Sequence, residues 1–228
     1  MKPTLGEVTA AISALVLASL ACNIPLPRPA ADPPATPIAT IAPLLEDSFT
    51  DASSGWSTGA DVDGSVQYDN GGLHMKTFKP EYFTSSNPDS AAYEDVHLEV
   101  TVRNLGSDPS AGFGIVCDQQ PSAGSYYYFA ITTGGEYEIG KSVMGQHDLV
   151  LTGDGNWAAT DLIPMNAVSY RLGVDCRPGT LTLYVNGRTI DSVRDSAYIK
   201  GEVGVFLRSG DVAPADVLYD DFLMTRLK

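Results

Sequence analysis

The stretch Val96-His97-Leu98-Glu99-Val100-Thr101-Val102-Arg103 alternates apolar and polar residues without a fault. Successive side chains of a strand project to opposite faces, so a period of two predicts a half-buried β-strand and not a helix. Working outward, Thr180-Leu181-Thr182-Leu183-Tyr184-Val185 repeats the pattern and runs into Asn186-Gly187. That dipeptide supplies the positive φ values of a type I′ hairpin. Asp69-Asn70-Gly71-Gly72 joins SVQY to LHMKTF in the same way, and Thr133-Gly134-Gly135 joins YYYFAIT to EYEIGKSV. Further strands are expected at AGFGIVCD, HDLVLT, NAVSYRLGVDC, RTIDSV, EVGVFLRS and ADVLYDDFLMTRL. Short strands with turn signals between them, and no convincing amphipathic helix, predict an all-β antiparallel domain over 44–228. Nothing repeats with the period of a propeller or solenoid.

Charge narrows the partners. The 228 residues hold 14 Lys plus Arg against 28 Asp plus Glu, a formal net charge of −14. Affinity for phosphate backbones comes from clustered Lys and Arg, so this balance excludes nucleic acid. It equally argues against docking on anionic lipid through a basic patch. Lys2 offsets Glu7 and Arg28 offsets Asp32, so the whole excess lies on residues 44–228. Hydrophobic residues make up 43% of the chain, enough for a buried core.

The first 43 residues read differently. Thr9–Ala21 is an apolar run behind Lys2, too short to cross a ~30 Å hydrocarbon layer but suited to the h-region of a signal peptide over 1–21. Ser19-Leu20-Ala21-Cys22 resembles a bacterial lipobox, which implies lipidation of Cys22; the alternative is an ordinary signal peptide with an incidental cysteine. Residues 22–43 hold seven of the 15 prolines, which remove backbone donors and fix φ. That segment is expected to be a disordered, extended tether. Signal, cysteine and tether together predict an extracytoplasmic lipoprotein that meets the membrane only through its anchor.

The other two cysteines then form an even pair in an oxidising compartment. Cys117 shares a strand face with Ala111, Phe113 and Ile115, and Cys176 with Val168, Tyr170, Leu172 and Val174. Both thiols therefore point inward, as a disulfide or as two buried free thiols.

Three segments carry a resemblance. Asp47-Ser48-Phe49-Thr50-Asp51 followed by Ser54-Gly55-Trp56, the hairpin Leu181-Thr182-Leu183-Tyr184-Val185-Asn186-Gly187, and Val217-Leu218-Tyr219-Asp220-Asp221-Phe222 resemble the opening, a hairpin and the closing strand of secreted bacterial jelly rolls. These belong to the concanavalin A-like lectin/glucanase superfamily, near laminin G-like and 3-keto-disaccharide hydrolase-like domains. The resemblance implies an antiparallel two-sheet jelly-roll sandwich in which the first and last strands pair. It would bring Asp47 near Asp221, the superfamily's analogue of a calcium site; no other cofactor is implied.

Laminarinase-type relatives use Glu-x-Asp-x-x-Glu on one strand. The corresponding segment here, Glu94-Asp95-Val96-His97-Leu98-Glu99, has an apolar Val96 in place of the central Asp, which argues against catalysis by that route. Glu136 and Glu138 share a strand face and read as solvated carboxylates. Binding is the better expectation. If Tyr127, Phe129 and Ile131 face the core, Tyr126 and Tyr128 project outward, as do His97, Glu99 and Arg103 opposite the Val96 set, and Phe206 and Arg208 opposite Val205 and Leu207. Were these strands to share the concave sheet, with Glu138 and the loop residue Trp157 beside them, rings among charged groups would suit carbohydrate or another cell-envelope ligand. The alternatives are a sugar-active hydrolase or lyase, or a structural module whose tyrosines simply pack.

Overall fold

The computed structural model describes residues 42–120 and 124–228. The signal segment, Cys22 and all but the last two residues of the tether lie outside the described residues. Among the described residues the elements are all strands. In chain order they begin with β1 (Leu45–Asp47), β2 (Gly59–Ala60), β3 (Gly64–Asp69), β4 (Gly72–Thr77), β5 (Phe83–Ser86) and β6 (Val96–Asn104). The middle holds β7 (Gly112–Gln120), β8 (Ser125–Ile131), β9 (Glu136–Ser142), β10 (Leu149–Val150) and β11 (Ala158–Ala159). The chain closes with β12 (Ser169–Arg177), β13 (Thr180–Val185), β14 (Arg188–Val193), β15 (Glu202–Arg208) and β16 (Ala215–Arg226).

Two antiparallel sheets form. One has nine strands in the order β14-β13-β12-β6-β16-β4-β3-β2, with β1 on β16; the other has seven in the order β10-β9-β8-β7-β15-β5, with β11 on β9. The expected pairing of first and last strands is present, Asp47 lying opposite Phe222. The hairpins at Asn70-Gly71 and Asn186-Gly187 have the positive φ their turns require. HDLVLT contributes only the short β10, and Val168, expected inward, precedes β12 and is 75% exposed. The strand β5 carries no apolar alternation and escaped the sequence pattern.

The inward faces meet in one core, where Val96, Leu98, Val100 and Val102 of β6 join Phe113, Ile115, Tyr127 and Phe129 of the other sheet. Trp56 packs against Phe49 and Phe222, each 4.9 Å away between ring centroids, and donates its indole N–H to Asp47 at 2.9 Å. Covalent and hydrogen-bonded links tie the sheets. A Cys117–Cys176 disulfide joins β7 to β12 across a sequence separation of 59, a closure worth about 4 kcal/mol in the chain-entropy model. Buried Tyr219 of β16 donates its hydroxyl to Phe206 O at 2.5 Å and accepts the Gly114 N–H at 2.9 Å, which fixes β7 and β15 from below.

Candidate functional site

The seven-stranded sheet has an unusual outer face. With Tyr127, Phe129 and Ile131 in the core, β8 turns Tyr126, Tyr128 and Ala130 outward. The registers set Val116 and Gly140 beside Tyr128, and Phe206 beside Gly114. Glycines make room for rings. A Cβ on Gly140 would stand 2.2 Å from Tyr128 Cζ, and one on Gly112 would stand 3.3 Å from Trp157 Cη2. Phe83 of β5 stacks on Phe206 at 5.2 Å and on Tyr126 at 5.9 Å, and Tyr128 meets Phe206 edge-on at 6.3 Å. Val116, Tyr128, Ala130 and Phe206 are thereby buried as a second apolar cluster, with Phe83, Tyr126 and Trp157 packed around it and partly exposed.

Charge is set into this cluster. Glu138 of β9 is 2% exposed, accepts a short hydrogen bond from the Tyr128 hydroxyl on Oε1, and pairs through Oε2 with Arg208 Nη2 at 3.4 Å. The Arg208 guanidinium lies 5.3 Å from the Trp157 ring and 5.9 Å from the Tyr128 ring, within cation–π range of both. Burial first, and the Glu138 carboxylate second, push the Tyr128 phenol far above its ordinary value, so it stays a hydrogen-bond donor. Burial likewise raises Tyr126. The arrangement offers partly exposed ring faces and a partly exposed guanidinium paired with a buried carboxylate. Both Glu138 oxygens are engaged, which suits a positioning carboxylate better than a proton-transfer one.

Tyr126, Tyr128, Glu138, Trp157, Phe206 and Arg208 are thus brought together. His97, Glu99 and Arg103 are not. They stand on β6, in the middle of the nine-stranded sheet, and face outward on the far side of the core. The assumption that all these strands share one sheet is corrected: period-two alternation assigns a face and says nothing of which sheet. On that far face His97 Nδ1 meets Asp175 at 2.6 Å and Nε2 meets Glu99 at 3.4 Å; Arg171 pairs with Glu99 at 3.0 Å, and Tyr184 donates to Asp175 at 2.9 Å. The hydrogen bond to Asp175 leads in raising the His97 pKa, against burial. Burial alone would raise Glu99, but Arg171 and His97 outweigh it and hold the carboxyl low. Asp175, Arg171 and Tyr184 escaped the sequence reading, although Asp175 stands out as an outward acid between Val174 and Cys176.

The calcium expectation does not fit. Asp47 spends Oδ1 on the Phe49 amide at 2.7 Å and Oδ2 on Trp56, while the Arg171 guanidinium donates to the Asp221 carbonyl. N–H donors therefore fill the places a cation would need, and no cluster of three or more His, Cys, Asp or Glu among the described residues has metal-ligating geometry. The Glu94–Glu99 segment is likewise remote from the aromatic face, with Val96 buried in the core.

No protein-family model and no curated protein matches the sequence. Solved structures do match in fold. The carbohydrate-binding module CBM66 from Bacillus subtilis aligns with TM-score 0.59 and 16% identity over 75% of this chain and 95% of that one. A Bacillus subtilis protein of unknown function with a galectin-like fold gives TM-score 0.60 and 16% identity over 81% and 96%. A Bacillus licheniformis beta-glucanase gives TM-score 0.56 and 11% identity over 81% and 98%. The chain shares the two-sheet β-sandwich fold of these structures.

Proposed function

We propose that this concanavalin A-like domain is a non-catalytic carbohydrate-binding module whose ligand face is the outer side of the seven-stranded sheet. The observation that carries the reading is Arg208, held by buried Glu138 between the Trp157 and Tyr128 rings. Sugar C–H faces pack on such rings while a fixed guanidinium donates to hydroxyls. A similar fold in a protein named as a carbohydrate-binding module supports it, and one in a beta-glucanase keeps sugars as the common ligand class. Hydrolysis is disfavoured because Glu138 has both oxygens engaged and the Glu94–Glu99 segment lies on the other sheet.

The domain acts outside the cytoplasm in this proposal, held by lipid on Cys22. The Cys117–Cys176 disulfide supports an oxidising compartment. A glycan array on the protein tests the binding: Trp157→Ala and Arg208→Ala are expected to lose the signal, and His97→Ala to keep it. Reducing-sugar release from a polysaccharide panel would overturn the non-catalytic assignment. Membrane retention that survives Cys22→Ser would overturn the anchor.

A further inference from the structure

Where the two sheets end side by side, the sandwich opens into a cleft of about 400 Å³ between β2–β3 of one sheet and β5 of the other. Its chemistry is the reverse of the aromatic face. Thr58, Ser65, Tyr82, Thr84 and Ser85, hydroxyl residues all, are among those that line it. Asp61 adds a carboxylate whose Oδ1 accepts the Asp63 and Gly64 amides.

Contacts bound the cleft at both ends. One end is closed by the Ser57 amide on Asn87 O at 3.0 Å and the Ser86 hydroxyl on Ser57 O at 2.8 Å. At the other end the Tyr82 ring lies over Gly64, where a Cβ would come within 3.1 Å of it. Lys79, paired with Asp63 at 2.8 Å, holds its ammonium 4.6 Å above the same ring. A volume of this size matches small-ligand sites, and a lining rich in hydroxyl residues with one carboxylate matches a polyol.

Strand β5 is the shared wall. Phe83 stacks into the aromatic cluster through Phe206 and Tyr126, while the next two residues, Thr84 and Ser85, line the cleft. We propose that the two are successive subsites for a single linear oligosaccharide. Sugar units packed on the rings beside Arg208 continue across β5, and later units drop into the cleft and exchange hydrogen bonds with its hydroxyls. This rests on the carbohydrate reading above and names its ligand class as an extended glycan chain. From β9 to β5 the sheet measures four strand spacings, ~19 Å at ~4.8 Å each, more than a disaccharide spans.

Calorimetric titration with defined cello-, laminari- and fructo-oligosaccharides, from dimer to hexamer, tests it. In the series that binds, affinity is expected to rise with length by about tenfold, equivalent to ~1.4 kcal/mol. Thr84→Trp, which fills the cleft, is expected to abolish that rise and leave the shortest ligand's affinity unchanged. Thr84→Val, which keeps the shape without the hydroxyl, reduces the rise in part. A length dependence that persists in Thr84→Trp overturns the cleft subsite while the aromatic face stands. Binding that is independent of length in the unmodified protein does the same. Failure of every oligosaccharide, with an extended peptide protecting β5 amides from hydrogen exchange instead, overturns both readings and assigns the edge to strand pairing.

Discussion

The two outer faces of the sandwich solve the same problem by opposite means. Each is the side of a sheet that no second sheet covers. The nine-stranded sheet fills its outer face with ion pairs of part-exposed side chains, His97 between Asp175 and Glu99, and Arg171 on Glu99. Pairs of this exposure contribute at most about 1 kcal/mol each, so that face is chiefly a solvated one. The seven-stranded sheet seals its outer face with its own side chains, burying Tyr128, Phe206 and Glu138 under Trp157, Tyr126, Phe83 and Arg208. Sealing without a covering layer needs rings lying flat on glycines, and such rings leave apolar surface in reach of a ligand. Burial, and not merely aromatic content, sets the aromatic face apart from the rest of the surface.

The sharpest way to break this comparison is to remove one carboxylate from each face. Glu138→Ala strands the buried Tyr128 hydroxyl and removes the partner of Arg208, with an expected loss of about 3 kcal/mol in urea unfolding. Glu99→Ala removes an acid of similar connectivity from the other face and is expected to cost under ~1 kcal/mol. Equal losses would mean that the aromatic face is no second core. The glycines offer a finer version. In Gly140→Ala the new methyl must displace the Tyr128 ring, at a cost of about 2 kcal/mol, and sugar binding should fall with it. In Gly173→Ala the methyl would meet the Tyr184 Cβ at 3.3 Å, the His97 ring at 3.6 Å and the Glu99 Cγ at 3.7 Å. That change is expected to stay within ~0.5 kcal/mol, since alanine also lowers the entropy lost on folding.

Alternation in β6, β8 and β15 sufficed to read which residues point inward, and inward-facing Cys117 and Cys176 do form the disulfide. The hairpin turns were legible because Asn-Gly has a backbone requirement that the sequence itself displays. What was not legible was partnership between strands distant in the chain. β6 lies between β12 and β16, and β15 lies between β7 and β5, so neighbours come from far apart and no local pattern records them. Hence His97, Glu99 and Arg103 were grouped with rings they never meet. Strand β5 was missed for a related reason: at an edge, Thr84 and Ser85 need no apolar face, so Phe-Thr-Ser-Ser carries no period. The Arg208–Trp157 contact joins a strand to a loop, and only the fold brings them together.

A pH dependence is expected from each sheet. Asp118 of β7 is buried, and burial first, then the nearby Glu94 and Asp95, raise its pKa to about 7. The native state therefore holds a proton that the unfolded chain releases near 3.8, so stability falls as pH rises from about 4 to 7 and is level above. His97 is raised from 6.5, chiefly by Asp175. Its favourable contribution is complete below 6.5 and is lost as pH rises through the folded value. The two slopes share a sign but not a window. Asp118→Asn is expected to flatten the midpoint between pH 4 and 7 and to raise stability at pH 8. His97→Gln is expected to leave that range unchanged and to remove only the smaller decline beginning near 6.5, reduced by the solvent exposure of its partners. Urea midpoints measured across pH 4 to 9 for both variants check this. If His97→Gln instead removed the acidic-range slope, the far face would hold the more deeply coupled group, and the contrast between the two faces would have to be reversed.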